Sequence, residues 1–320
     1  MKTTIDDLRG RLKELLNQDR LMSDIFPLAG DLNRAKFSRG RLLVKIAEDN
    51  GLDIKDAIEA AMGLEMVHMA SLVHDDVIDD SDLRRNQKSF KSLKGNKGAI
   101  LFGDYLFSAA VRQIQETQSA DCAKLFTKCV HDTCRGESIQ DLILSEENQN
   151  TGLDLVLEAA KGKTGALFSY CTEAPALMKG LNKDLISKIG RIGLLSGLGF
   201  QLADDILDIC GDESDLGKPS GNDLVKNCMT TPLFLLMQEE QKGWIEFQAQ
   251  YCSQTDALKQ NYIKSESSSK LSHIIHELHA EVLKYVEDAE NEGFVLRESI
   301  NLFWEGLIFK RMLTFKDLTG

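Results

Sequence analysis

Proline is scarce in this chain, with 4 in 320 residues. Proline interrupts helices, so its scarcity permits long ones. Runs that alternate apolar and polar residues are missing, which argues against half-buried strands. No repeat occurs at solenoid periods. No apolar run approaches the ~18 residues of a membrane span. The N-terminal "MKTTIDDLRGRLKELLNQ" has no apolar signal core. The seven cysteines, at 122, 129, 134, 171, 210, 228 and 252, form no CxxC pair. Such a scattered, odd set reads as free thiols in a reducing compartment, and a cytoplasmic location is expected. Positive charge is in deficit: the net charge is -12. That excludes a broad nucleic-acid surface but permits local anion binding where basic residues converge.

What is present points to one large helical domain. Hydrophobic residues make up 42% and charged residues 28%, enough for a sizeable core. Helical periodicity predicts helices at about 4–18, 38–50, 54–80, 97–116, 120–141, 152–178, 183–212, 230–239, 244–255, 270–292 and 295–312. The breaks "EENQNTG", "GDESDLGKPSGND" and "IKSESSSK" are rich in turn formers, and none has the character of a domain linker. The expectation is an all-α fold, a single bundle over residues 1–320.

Two acidic arrays carry the chemistry. After the apolar run "AIEAAMGLEMVHMA" comes "SLVHDDVIDDSDLRRN", with Asp75, Asp76 and Asp79 spaced D-D-x-x-D. At ~100° per residue, Asp75 and Asp79 lie about 40° apart with Asp76 on the adjoining flank. Unopposed, such carboxylates raise each other's pKa and weaken the helix. A divalent cation removes that cost, and hard oxygen ligands suit Mg²⁺. One array alone reads equally as a solvated helix end. The spacing recurs, however, at Asp204, Asp205 and Asp208 in "GFQLADDILDICGDESDLGKPSGNDL", again behind an apolar run. If the two helices face each other, six carboxylates surround one cavity mouth. Arg84 and Arg85 follow the first array and Lys218 the second, as a diphosphate ligand would require.

At these residues the chain resembles the trans-isoprenyl diphosphate synthases, or polyprenyl synthetases. The resemblance runs from about residue 30 to 235. It also takes in "KGNKGAILFGDYLF", "GESIQ" and "KTGALF" in order, and fades over the last 80 or so residues. It implies an isoprenoid-synthase helical bundle around a deep central cavity, a homodimer, and three Mg²⁺ ions per active site. It implies isopentenyl diphosphate held by Lys36 and Arg39 of "AKFSRG", with His68 and Arg85. Arg84 matches an allylic-diphosphate contact. Lys163, Thr164, Gln201 and Lys218 match residues that steady the leaving diphosphate and the allylic cation. Departures from the family pattern are Phe37, Asn86, Lys88 and Cys228; the last replaces a lysine, with Lys226 nearby.

The implied reaction is ionisation, condensation and elimination, lengthening an allylic primer by five carbons. The growing chain is expected to run along the first-array helix past Ser71, Ala70 and Val67 toward Gly63 and Leu64. These small or modest residues predict a product of twenty carbons or more. Two other readings stand beside this one. A class I terpene cyclase ionises the same substrate class, but it would not need Lys36 and Arg39. A non-catalytic partner subunit would tend to lose an array, and both are kept here.

Other signals are weaker. His273, His276 and His279 drift around a helix by about 60° per step, an awkward metal site, and read as a surface or partly packed face. Glu65 and His68 form one Glu-x-x-His, but a di-iron bundle needs a second. Met62, Met66 and Met69 read as packing.

Overall fold

A computed structural model describes residues 2–25, 37–84, 87–117, 119–144, 151–211 and 220–312. These are almost entirely helical, as the scarcity of proline predicts. By contacts the chain divides into two compact units, 1–128 with 170–186, and 129–169 with 187–320.

In the first unit α1 (Lys2–Gln18), α2 (Arg20–Ile25) and α3 (Ser38–Asp49) precede α4 (Ile54–Ile78). Apolar residues surround α4 on all sides, so it is buried nearly all round, as its composition requires. Asp53 caps its N-terminus, accepting the Lys55 N–H at 2.8 Å. A two-residue antiparallel hairpin follows, β1 (Leu83–Arg84) with β2 (Gln87–Lys88). It was not legible as alternation because it is too short to alternate.

Helix α5 (Phe90–Ile114) begins seven residues before the predicted 97, and a kink at Gly95 (φ 71°) hides that first turn from a periodicity search. Ser89 caps it, accepting the Ser92 N–H at 3.1 Å. Helix α1 is tied to this pair through Glu59, which accepts from Arg11 Nε at 3.0 Å and from Gln113. Helix α6 (Ala120–Ile139) begins in this unit and ends in the second.

In the second unit α6 passes into a π-helical segment, Gln140–Leu144. Helix α7 (Leu153–Ala160) runs through a second π segment, Lys161–Gly165, into α8 (Ala166–Met178), which belongs to the first unit from residue 170 on. Helix α9 (Lys183–Cys210) carries the second aspartate array. Then come α10 (Asn222–Val225), α11 (Thr231–Glu239), α12 (Trp244–Tyr251), α13 (Thr255–Lys264), α14 (Glu266–Asn291), α15 (Arg297–Phe303) and a third π segment, Trp304–Phe309. Helix α13 was missed, its polar surface giving a weak apolar stripe around the buried Leu258 and Tyr262. Backbones of α6 and the second π segment touch at Gly136 and Gly162. A Cβ on Gly162 would lie 2.7 Å from the Gly136 Cα. Among the described residues, no helix is long and apolar enough to cross a membrane.

Candidate active site

The first array closes α4. Asp75 is half-buried, Asp76 is buried, and Asp79 is the exposed C-cap residue. Asp76 Oδ1 accepts from Arg84 Nε at 2.8 Å across the hairpin. Asp80 turns back with φ 49°, and Lys91 Nζ reaches both Asp80 (2.5 Å) and Asp82 (3.3 Å). The dense acidity of the stretch is thus partly neutralised by cations from the segments that follow it. His68 stands half-buried two turns before Asp75 on the same helix. Val67 and Ala70 are buried, and Ser71 donates its hydroxyl to the His68 carbonyl at 2.9 Å. Arg39 lies in the first turn of α3. Lys36, Arg85 and Asn86 lie outside the described residues.

The second array lies on the last turns of α9. Asp204 is exposed and forms an ion pair with Arg311 Nη2 at 3.3 Å. The same guanidinium sits 4.1 Å from the Phe200 ring centroid. Asp205 and Asp208 are buried. Gln201 Nε2 donates to Asp205 Oδ1 at 2.7 Å, and Thr164 Oγ1 donates to Gln201 Oε1 at 2.5 Å. Asp208 Oδ2 accepts the Asp223 N–H at 3.0 Å. Burial pushes the Asp205 carboxyl well up, and Asp223, Asp204 and Asp208 add to it while Gln201 opposes. The mutual repulsion expected within the array is therefore present at Asp205, but second to desolvation.

Lys163 sits in the second π segment, and its Nζ pairs with Glu137 at 2.8 Å. The extra residue in a π turn changes which side chains point which way, and such turns gather at functional sites. Cys228 lies within the electrostatic reach of Asp223, Lys163, Asp205 and Asp141, and desolvation pushes its thiol well up. A neutral thiol thus stands where a lysine was expected, while Lys226 is exposed at the surface. Lys218 lies outside the described residues.

The polyprenyl synthetase family profile matches residues 30–277. The chain belongs to that family. A heptaprenyl diphosphate synthase component 2 from Geobacillus stearothermophilus is 35% identical over 59% of this chain and 58% of its own length. A chloroplastic solanesyl diphosphate synthase 1 from Arabidopsis thaliana is 33% identical over 59% of this chain and 46% of its own. The aligned part thus spans about half the length of these curated relatives. Among solved structures, a heptaprenyl diphosphate synthase from Staphylococcus aureus superposes with a TM-score of 0.75 at 26% identity, covering 98% of each chain. A geranylgeranyl pyrophosphate synthetase from Pyrococcus horikoshii superposes at 0.81 with 23% identity, covering 96% of each, a likeness of fold. The all-α expectation holds.

Among the described residues of this family member, no three acidic, histidine or cysteine side chains converge into a ready-made metal site. Asp76 and Asp204 are held by arginines, and Asp205 and Asp208 by hydrogen bonds. The donor set itself, all carboxylate oxygen, fits Mg²⁺, which keeps several waters and needs few protein ligands. Four neighbours of the arrays escaped the sequence reading: Lys91, Glu137, Asp223 and Arg311. Glu137 and Asp223 lay within recognised motifs, "GESIQ" and "GNDL", and could have been weighed. Arg311 lies in a region with no motif. The three histidines separate as expected: His273 pairs with Glu277, His276 stacks on Phe309, and His279 packs on Trp304.

Proposed function

We propose that this chain is a chain-elongating prenyltransferase that condenses isopentenyl diphosphate with an allylic diphosphate. The observation that carries the reading is the retention of both D-D-x-x-D arrays inside the region matched to the family. Asp75, Asp76, Asp79, Asp204, Asp205 and Asp208 would hold Mg²⁺. Bound there, the metal would act as a Lewis acid, neutralising charge on the departing diphosphate. Lys163, Lys218 and Arg84 add positive charge toward the same group. Thr164 and Gln201 present polar atoms beside Asp205 and steady the allylic cation. Lys36, Arg39, His68 and Arg85 hold isopentenyl diphosphate. The allylic C–O bond breaks, the double bond of isopentenyl diphosphate forms the new C–C bond, and a proton leaves, taken up by the released diphosphate. The protein's part is positioning, fixed charge and exclusion of water.

A product of twenty carbons or more follows from the small residues at 67, 70 and 71. The naming of relatives as heptaprenyl and solanesyl synthases supports it. Phe126, fully buried, stands where a side chain on Gly63 would point, 3.6 Å from such a Cβ, and is the candidate far wall. A homodimer is supported by exposed apolar residues on α5. Beyond the Gly95 kink, Ile100 and Phe107 stand seven residues apart, and Leu101 adjoins them.

A second reading is favoured by one observation, that two relatives are named component 2 of a heptaprenyl synthase: the chain works with a second subunit. One assay tests both. Purified protein with Mg²⁺ and isopentenyl diphosphate is offered dimethylallyl, geranyl or farnesyl diphosphate, and products are sized by mass spectrometry. A ladder in five-carbon steps supports elongation by this chain alone. Diphosphate release without elongation supports a cyclase. Silence from the pure chain, relieved by a cell extract, supports the subunit reading.

A further inference from the structure

The first-array helix carries another acid for which neither the metal nor the diphosphate accounts. Glu65, on α4 one turn before His68, is 2% exposed. A carboxylate so deeply buried is costly unless hydrogen bonds answer it. Its Oε1 accepts the Gly40 N–H at 2.7 Å; burial raises its pKa, while the Gly40 N–H, the Arg39 charge and the Arg39 N–H pull the other way.

Both N–H groups belong to the first turn of α3. That helix starts without a cap of its own: Phe37 is left-handed (φ 48°, ψ 41°) and offers no side-chain acceptor. Counting from Phe37, Arg39 and Gly40 are the second and third helical residues. Their N–H groups are those that a capping side chain normally satisfies. Glu65 fills that role from the neighbouring helix. Gly40 admits it, since a Cβ there would lie 3.2 Å from Glu65 Cγ and 3.3 Å from Ala61 Cβ. Behind the same residue, the Arg39 carbonyl accepts from the Cys171 thiol at 3.4 Å. The backbone of Arg39 is therefore gripped on both sides.

We infer that Glu65 is a positioning residue, whose carboxylate caps α3 across helices and so fixes Arg39 for isopentenyl diphosphate. The role of Arg39 rests on the function proposed above; the cap does not. Two variants separate reach from charge. Glu65→Gln keeps an acceptor oxygen at the same distance. Glu65→Asp keeps the charge but withdraws it by one methylene. Each is measured by amide hydrogen exchange over residues 38–44 and by steady-state kinetics.

The Asp variant is expected to exchange faster over 38–44. It should raise KM for isopentenyl diphosphate about fivefold to tenfold, with kcat and the allylic KM changed by less than about twofold. The Gln variant should stay near the parent in both readouts. Unchanged exchange in the Asp variant overturns the cap. Equal rises in both KM values overturn the link to Arg39. A Gln variant as impaired as Asp shows that charge, not reach, matters, and also overturns the proposal. If the parent extends no primer at all, elongation by this chain alone fails as a reading, while the exchange measurement still decides the cap.

Discussion

Two single residues make sharp tests. Ala70, buried one turn before the first array, carries only a methyl group. Ala70→Phe is expected to shorten the product to about fifteen or twenty carbons while leaving kcat for the first condensation within about threefold, measured by product sizing. Unchanged length would end the tunnel assignment along α4. His279 packs on Trp304 and Phe309, and burial, aided by His276, lowers its pKa below the ordinary 6.5 against the pull of Glu305. Below pH 6.5 the unfolded chain therefore binds a proton that the folded chain refuses. Stability from this group is intact above that pH and is lost as pH falls toward the lowered folded value. His279→Phe should flatten the dependence, seen in urea melts at about pH 7.5 and 5.5. That His279 would face aromatic rings was not legible: spacing gave the helix face, but the rings come from 25 or more residues further along the chain.

At the scale of elements, the helices were legible and their irregularities were not. Long apolar-periodic stretches such as 183–212 returned as α9 almost residue for residue. The π segments did not show, because a single extra residue is a brief break in a long apolar pattern and has no residue signature of its own, although it redirects the side chains around it, Lys163 among them. The same holds for the arrays. Spacing placed the six aspartates, but not the arginines that bind two of them, since Arg311 is brought to Asp204 by the fold alone. The contact of α6 with the second π segment gives a prediction at this scale. Gly162→Ala would press its Cβ within 2.8 Å of the Asp132 carbonyl as well as onto Gly136. The expected loss is about 1–3 kcal/mol in denaturant melts, with turnover falling further than stability because Lys163 is the adjacent residue.

For the whole molecule, the apolar stripe on α5 is the feature that composition could not reveal. The residues were visible in the sequence, but which face of α5 stays uncovered depends on what packs against it. Phe107, 37% exposed, lies on that stripe with Ile100 at 45%. Phe107→Glu together with Ile100→Glu is expected to convert a dimer to a monomer in sedimentation velocity, with helical content unchanged. A monomeric parent protein would remove the premise.

The arginines that hold Asp76 and Asp204 bear on how the protein can be handled. Because one aspartate of each array already has an arginine partner from its own chain, part of the acidic charge is offset without magnesium. Exhaustive EDTA treatment is expected to leave the melting temperature within about 3 °C, since partly exposed charges contribute little to stability. Synthesis should stop completely, and added magnesium should restore it without refolding. The metal would then behave as a reagent brought in with the substrate, and the protein could be stored, crystallised and screened without it.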